Sequence, residues 1–140
     1  MVPYCLTGGN AVTFDKTVLM TGGVNYNRFL SAIQREQQQQ SATAEGNASL
    51  LDELKTEARQ YLMQPVEWYQ FNTDLLTWNW RTRQWTVAGC YPQLARAGAG
   101  VVFHEDKLFV ICGELKPGIR TSECNYAIIQ PTCNYQSNEY

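Results

Sequence analysis

The sequence predicts a mainly β chain, about two units of a repeated strand pair with a helical insertion between them. Three observations carry that reading. A strand, turn, strand and glycine pattern occurs twice, the stretch between the copies turns to helical periodicity, and aromatic strand-like runs resume after it. The 140 residues are 44% hydrophobic, 12% aromatic and only 17% charged, a balance that fills a core and is unlike a disordered chain.

The first copy opens at Gly8-Gly9. Ala11-Val12-Thr13-Phe14 reads as a strand, Asp15-Lys16 as a turn and Val18-Leu19-Met20 as a second strand, closed by Gly22-Gly23. The second copy runs through Ala99-Gly100, Val101-Val102-Phe103, Asp106-Lys107, Leu108 to Ile111 and Gly113. Asp15 and Asp106, like Gly22 and Gly113, stand 91 residues apart. That shift is about twice the roughly 40–50 residues of a propeller-blade repeat, and the composition between the copies assigns the excess to an insertion.

From Arg28 to about Gln64 the pattern is helical. Phe29, Leu30, Ala32 and Ile33 form one apolar run; Leu50, Leu51, Leu54, Ala58, Tyr61 and Leu62 follow the spacing of one helix face. Ser49-x-x-Asp52 predicts a capping box, Gln37 to Ser41 with Gly46-Asn47 a polar loop between two helices, and Pro65 a stop. Glu67 to Phe71, Leu75 to Trp80 and Trp85 to Val87 then predict a three-stranded meander, with Arg81 to Gln84 as a polar connector. The divisions are 1–27, strands and first diglycine; 28–65, helical insertion; 66–123, second unit; and 124–140, a divergent tail. Taking 24–70 as inserted leaves 93 residues, about two blades at roughly 45 residues each.

Eleven Lys and Arg against thirteen Asp and Glu give a net charge of −2. With no basic cluster, nucleic acid and anionic membrane are excluded as main partners. The apolar runs at 101–103 and 108–112 fall far short of the roughly 20 residues of a membrane span. Met1 to Leu6 lacks a basic stretch and is not read as a secretory signal. Cys5, Cys90, Cys112, Cys124 and Cys133 are odd in number with no C-x-x-C pair, so they are expected to be buried small hydrophobes rather than a zinc site or a disulfide framework.

Gly22-Gly23, Asp74-Leu75, Trp85, Pro92, Arg96 and Gly98 to Val102 succeed one another in an order that resembles a kelch repeat, which implies a β-propeller. The string Gly113-Glu114-Leu115-Lys116-Pro117-Gly118-Ile119-Arg120-Thr121, the helical insertion and Phe71 to Leu76 together resemble the N-acetylneuraminate epimerase family, sialic acid mutarotases on six-bladed kelch propellers with a cyclically permuted branch. The resemblance runs from about Val2 to Thr121 and fades in the tail, so the fold expected is about two kelch blades of an incomplete propeller.

Mutarotation opens a cyclic hemiketal and closes it on the other face, which requires a proton removed from the anomeric hydroxyl and one delivered to the ring oxygen. The resemblance implies Glu114 as the base and Arg120 as the catalytic and substrate-binding cation holding the sugar's carboxylate. Glu114 is also expected at a diglycine position, where a charged side chain has no structural benefit. Lys116, Asn25, Asn27 and Arg28 are candidate pocket residues. Lys116-Pro117-Gly118 predicts a type II turn folding Glu114 towards Arg120. Trp78, Trp80, Trp85 and Tyr91 are read as packing between blades rather than as a sugar platform. His104, the one histidine, is read as a solvated turn residue. It cannot supply a copper or histidine-based zinc site, so neither metal nor cofactor is expected. The implied partner is a small sugar acid, with a homodimer or further blades of a longer protein as open alternatives, and the implied compartment is the periplasm, with the cytoplasm as the alternative. The competing function is a non-catalytic kelch-type binding module.

Overall fold

The computed structural model describes residues 6–129. The chain is mainly β. Strands β1 (Asn10–Phe14), β2 (Thr17–Thr21), β3 (Asp74–Asn79) and β4 (Gln84–Cys90) form one antiparallel sheet in that order. A second sheet has the order β5-β6-β9, from β5 (Gly100–His104), β6 (Lys107–Ile111) and β9 (Cys124–Ile128). Between β6 and β9 lies a small hairpin of β7 (Glu114–Lys116) and β8 (Ile119–Arg120).

The structural repeat is 90 residues, one fewer than the sequence match suggests. β1 and β5, and β2 and β6, correspond at that shift. So do the left-handed backbone positions Gly8 and Gly98, Asp15 and Glu105, Gly22 and Cys112, and Gly23 and Gly113. The sequence match aligned like residues, whereas the repeat conserves backbone conformation. The counterpart of Gly22-Gly23 is therefore Cys112-Gly113, and Glu114 corresponds to Val24. A paired hydrogen bond agrees, since the Val24 N–H donates to Thr7 and the Glu114 N–H to Ala97, both at 2.8 Å. The expectation that Glu114 replaces a diglycine residue is corrected: it is the first residue after the pair, where no left-handed φ is required.

Directly paired residues in a sheet put their side chains on the same face. Val12 pairs with Leu19 and Leu19 with Thr77, so Val12, Phe14, Leu19 and Leu75 share the face that meets the second sheet. They meet Val101, Phe103, Leu108 and Val110, with Leu94 and Ala99 filling the seam. The Phe14 and Phe103 rings approach to 4.2 Å between centroids. Burial of each large aliphatic there contributes roughly 1.5–3 kcal/mol, and this seam is what fixes one sheet against the other.

The insertion is a helical hairpin, α1 (Tyr26–Glu45) and α2 (Ala48–Leu62). The Asn25 side chain caps α1 by accepting the Arg28 N–H at 3.1 Å. Gly46, at φ 69°, ends it, and the N–H groups of Gly46 and Asn47 return to Thr43 and Ala42. Asn47 then caps α2 by accepting the Leu50 N–H at 3.2 Å. Two expectations are thereby corrected. The joint is Gly46-Asn47 alone, because the glutamine run is a good helix former and stays in α1, and Asn47 rather than Ser49 is the cap. Ala42 and Leu54 are buried, and Arg35 reaches Glu57 at 3.3 Å across the hairpin.

The expected first meander strand, 67–71, is instead a 3-10 turn, Val66–Tyr69, followed by Gln70 at φ 50°. Its aromatics pack inward: Tyr69 is buried, lies edge-on to Tyr61 and Trp68, and donates its hydroxyl to the Tyr61 carbonyl. Burial pushes both phenols above their ordinary range, with Arg35 and Arg28 pulling Tyr61 back. Cys90, Cys112 and Cys124 are free and exposed, which corrects their expected burial. Cys112 lies just past β6 in a left-handed conformation rather than inside a strand. Cys5, Cys133 and the tail from residue 130 lie outside the described residues.

Candidate functional site

The β7–β8 hairpin is short and held at its base. Ala97 and Glu114 exchange two backbone hydrogen bonds, at 2.9 and 2.8 Å, and the Thr121 N–H donates to Gly113 at 2.9 Å. Pro117 and Gly118 form its turn. Gly118 has φ 78°, the value the third position of a type II turn demands. Glu114 and Arg120 are direct cross-strand partners, so their side chains share a face. Arg120 Nε lies 3.6 Å from Glu114 Oε1, with the Glu114 side chain 32% exposed and that of Arg120 78% exposed.

An exposed pair at that distance contributes at most about 1 kcal/mol to stability. Its chemical content is different. A half-shielded carboxylate is held against one edge of a guanidinium, and both groups remain open to a ligand. The carboxylate can accept a proton, and the guanidinium can take an anion with its remaining N–H groups.

The other sequence candidates are committed elsewhere or stand apart. The Lys116 ammonium donates to the carbonyls of Leu62 at 3.1 Å and Gln64 at 2.7 Å, a cation at the negative end of α2. Asn25 is the cap of α1. The Arg28 guanidinium lies 3.9 Å from the centroid of the Trp68 ring. Asn25 and Asn27 line an open cleft of about 550 Å3 with Val24, Gln70 and Asn72. Glu114 is not among its lining residues; Leu115 lines a second cleft of about 270 Å3 that also takes in Gln70.

Gln70 escaped sequence reasoning because its segment reads as strand, and Asn72 because it falls in the short connection between two predicted strands. The one local signal is Asn-x-Asp at 72–74: the Asn72 side chain accepts the Asp74 N–H at 3.0 Å and donates to the Gly22 carbonyl at 3.2 Å. His104 ends β5 in the open, 75% exposed, beside Glu105. Among the described residues no group of three His, Cys, Asp or Glu side chains could hold a metal ion.

Trp78 and Trp85 pack on each other across β3 and β4, 5.3 Å apart. Their register with Val18 puts them on the face of the first sheet turned away from the second. Packing between the two described sheets is done by Phe14 and Phe103, and the tryptophans lie outside that seam.

Comparison with known proteins agrees with this architecture. The sequence model of the family described as N-acetylneuraminate epimerase matches residues 1–138. An N-acetylneuraminate epimerase of Escherichia coli O9:H4 (strain HS) is 35% identical over 121 residues, covering 85% of this chain and 30% of that protein. The enzyme of the same name from Shigella sonnei (strain Ss046) is 32% identical over 121 residues, covering 86% of this chain and 31% of its own length. The solved structure of YjhT superposes with a TM-score of 0.72 at 28% identity, over 95% of this chain and 39% of the other. The two sheets are thus about two blades of a propeller with a helical insertion, and the chain spans about a third of the length of the curated relatives it matches.

Proposed function

Since the chain belongs to the N-acetylneuraminate epimerase family, we propose that its β7–β8 hairpin serves the interconversion of the α and β anomers of N-acetylneuraminate. The observation that carries this reading is the cross-strand placement of Glu114 and Arg120, 3.6 Å apart and open to solvent.

Glu114 takes the proton of the anomeric hydroxyl as the bond between the anomeric carbon and the ring oxygen breaks. The electron pair goes to that oxygen, which is protonated by water, leaving an open-chain ketone. Rotation about the adjacent bond and the reverse sequence close the ring on the opposite face, with Glu114 returning its proton to the new hydroxyl. Arg120 holds the sugar's carboxylate and so fixes which group faces Glu114.

Freshly dissolved α anomer, followed by proton NMR with and without the purified chain, tests the proposal. Conversion is faster with the chain, and Glu114→Gln loses about 100-fold or more of that acceleration, in line with a general base. No acceleration by the native chain, or full acceleration by Glu114→Gln, overturns it.

A further inference from the structure

The two units close their loops with one backbone frame and two different side-chain bridges. β3 returns from the first loop as β9 returns from the second, and their registers on β2 and β6 carry residues 76–79 onto 125–128, and so 72–74 onto 121–123. The Asn72 N–H donates to the Gly23 carbonyl and the Thr121 N–H to that of Gly113, each at 2.9 Å. Two residues on, the Asp74 N–H returns to the Asn72 side chain at 3.0 Å and the Glu123 N–H to the Thr121 hydroxyl at 3.1 Å.

The ends of each loop also present a matching pair of carbonyls, Gly22 with Asp74 and Cys112 with Glu123. In the first unit one nitrogen, Asn72 Nδ2, donates to both, at 3.2 Å each. In the second, Thr121 has no side-chain amide, and the bridging nitrogen comes from outside the loop. Arg96 Nη1 donates to the Cys112 carbonyl at 3.2 Å and to that of Glu123 at 3.0 Å. Its other terminal nitrogen reaches the Asn125 side chain and, at 3.4 Å, the Glu123 carboxylate. Arg96 is 3% exposed, and its buried Nε has no hydrogen-bond partner among the described residues. Burying a guanidinium carries a larger desolvation penalty than burying an amide. The second unit therefore closes its loop with the more costly of the two bridges, and that loop is the one carrying Glu114 and Arg120.

We propose that Arg96 is the positioning residue for this pair, acting through the carbonyls of Cys112 and Glu123. Asn72 belongs to the segment it bridges, whereas Arg96 lies between Leu94 and Ala99 of the core and ties the stem of the hairpin to the seam between the sheets. The next residue, Ala97, exchanges two backbone hydrogen bonds with Glu114, so the start of β7 is held at two adjacent points. What is positioned rests on the reading of Glu114 and Arg120 as the working pair; how the stem is held does not.

Amide hydrogen exchange followed by NMR tests this, with circular dichroism confirming that each variant is folded. In Arg96→Met, exchange at Glu114 and Thr121 is expected to accelerate about tenfold or more, the effect of losing hydrogen bonds to a charged group. The matching amides of Val24 and Asn72 keep their native rates. Adding Thr121→Asn to Arg96→Met supplies the first unit's bridge and recovers part of the lost protection. Asn125→Ala leaves Arg96 in place with one acceptor fewer and gives a smaller rise, about threefold, at the same two amides; it decides the matter if Arg96→Met does not fold. Equal acceleration at all four amides makes Arg96 a general core residue and overturns the proposal. Native rates at Glu114 and Thr121 overturn it too, as does a double variant no better protected than Arg96→Met. In the anomer assay Arg96→Met is expected to slow conversion about tenfold at saturating sugar, as its working pair loses alignment, and a native rate in that variant overturns the positioning role. Absence of conversion by the native chain would instead end the reading of Glu114 and Arg120, while the exchange pattern still decides what Arg96 holds.

Discussion

Two loops leave the sheets at equivalent points and come to different ends. After Gly23, at Val24, the chain runs into a helical hairpin that spends Asn25 and Asn47 as caps and holds Arg28 on Trp68 and Arg35 on Glu57. After Gly113, at Glu114, it makes a two-stranded hairpin that leaves a carboxylate and a guanidinium open. The strand pair fixes where a loop emerges, and the loop decides what is displayed there. Lys116 joins the two, because it sits on the β-hairpin and grips the end of α2.

The equivalence of the two exits is most sharply broken at Gly22 and Cys112. Both are left-handed, at φ 68° and 54°. A Cβ at Gly22 would overlap the Arg96 carbonyl oxygen, a backbone atom that cannot swing away. Arg96 is itself buried and bound to the carbonyls of Cys112 and Glu123 at 3.2 and 3.0 Å. Gly22→Ala is therefore expected to cost about 3–5 kcal/mol in chemical denaturation, as strain and overpacking combine. Cys112→Ala should cost less than about 1 kcal/mol, since that backbone already carries a Cβ. Equal costs would break the comparison.

The link between the loops is the next test. Lys116→Met keeps the stem and removes the ammonium, with an expected loss of about 1–2 kcal/mol from two charge-assisted hydrogen bonds at a partly exposed site. Amide exchange should accelerate in the last turn of α2, where Leu62 lies. If Lys116 instead bound the sugar acid, stability and exchange would stay as they are and only the substrate dependence of the rate would change.

What was legible in the sequence follows from this division. The strand pairs were readable because Val, Leu and Phe alternate with the pleat and turn residues bound them. The approach of Glu114 to Arg120 was readable from the Pro117-Gly118 turn between them, but their roles came only through a resemblance, since nothing in their six-residue spacing places two side chains on one face of a bulged hairpin. The repeat was found but misaligned by one residue. Left-handed turn positions accept Asp at 15, Glu at 105 and Cys at 112, so matching Asp to Asp and Gly to Gly followed the wrong atoms. Residues 67–71 misled because aromatic residues suit strands, while here Tyr69 is buried against Tyr61 of α2. That partner is distant enough in sequence to leave no local trace.

The smallest expected effect separates the two loops by function rather than by stability. Gly46 and Gly118 have similar left-handed backbones, at φ 69° and 78°, and a Cβ at either would meet open space. Replacement by Ala then costs the conformational strain alone, about 1 kcal/mol at each position. At Gly46 that strain falls on the joint between two helices that already have their own caps, and conversion of the α anomer is expected to continue at the native rate. At Gly118 it falls on the type II turn that sets the register of Glu114 against Arg120. Relaxing that turn moves the two groups apart, so activity should fall several-fold for the same loss in melting temperature. Identical activity in the two variants would mean that the hairpin's register does not matter, and the reading of Glu114 and Arg120 as a working pair would fail with it.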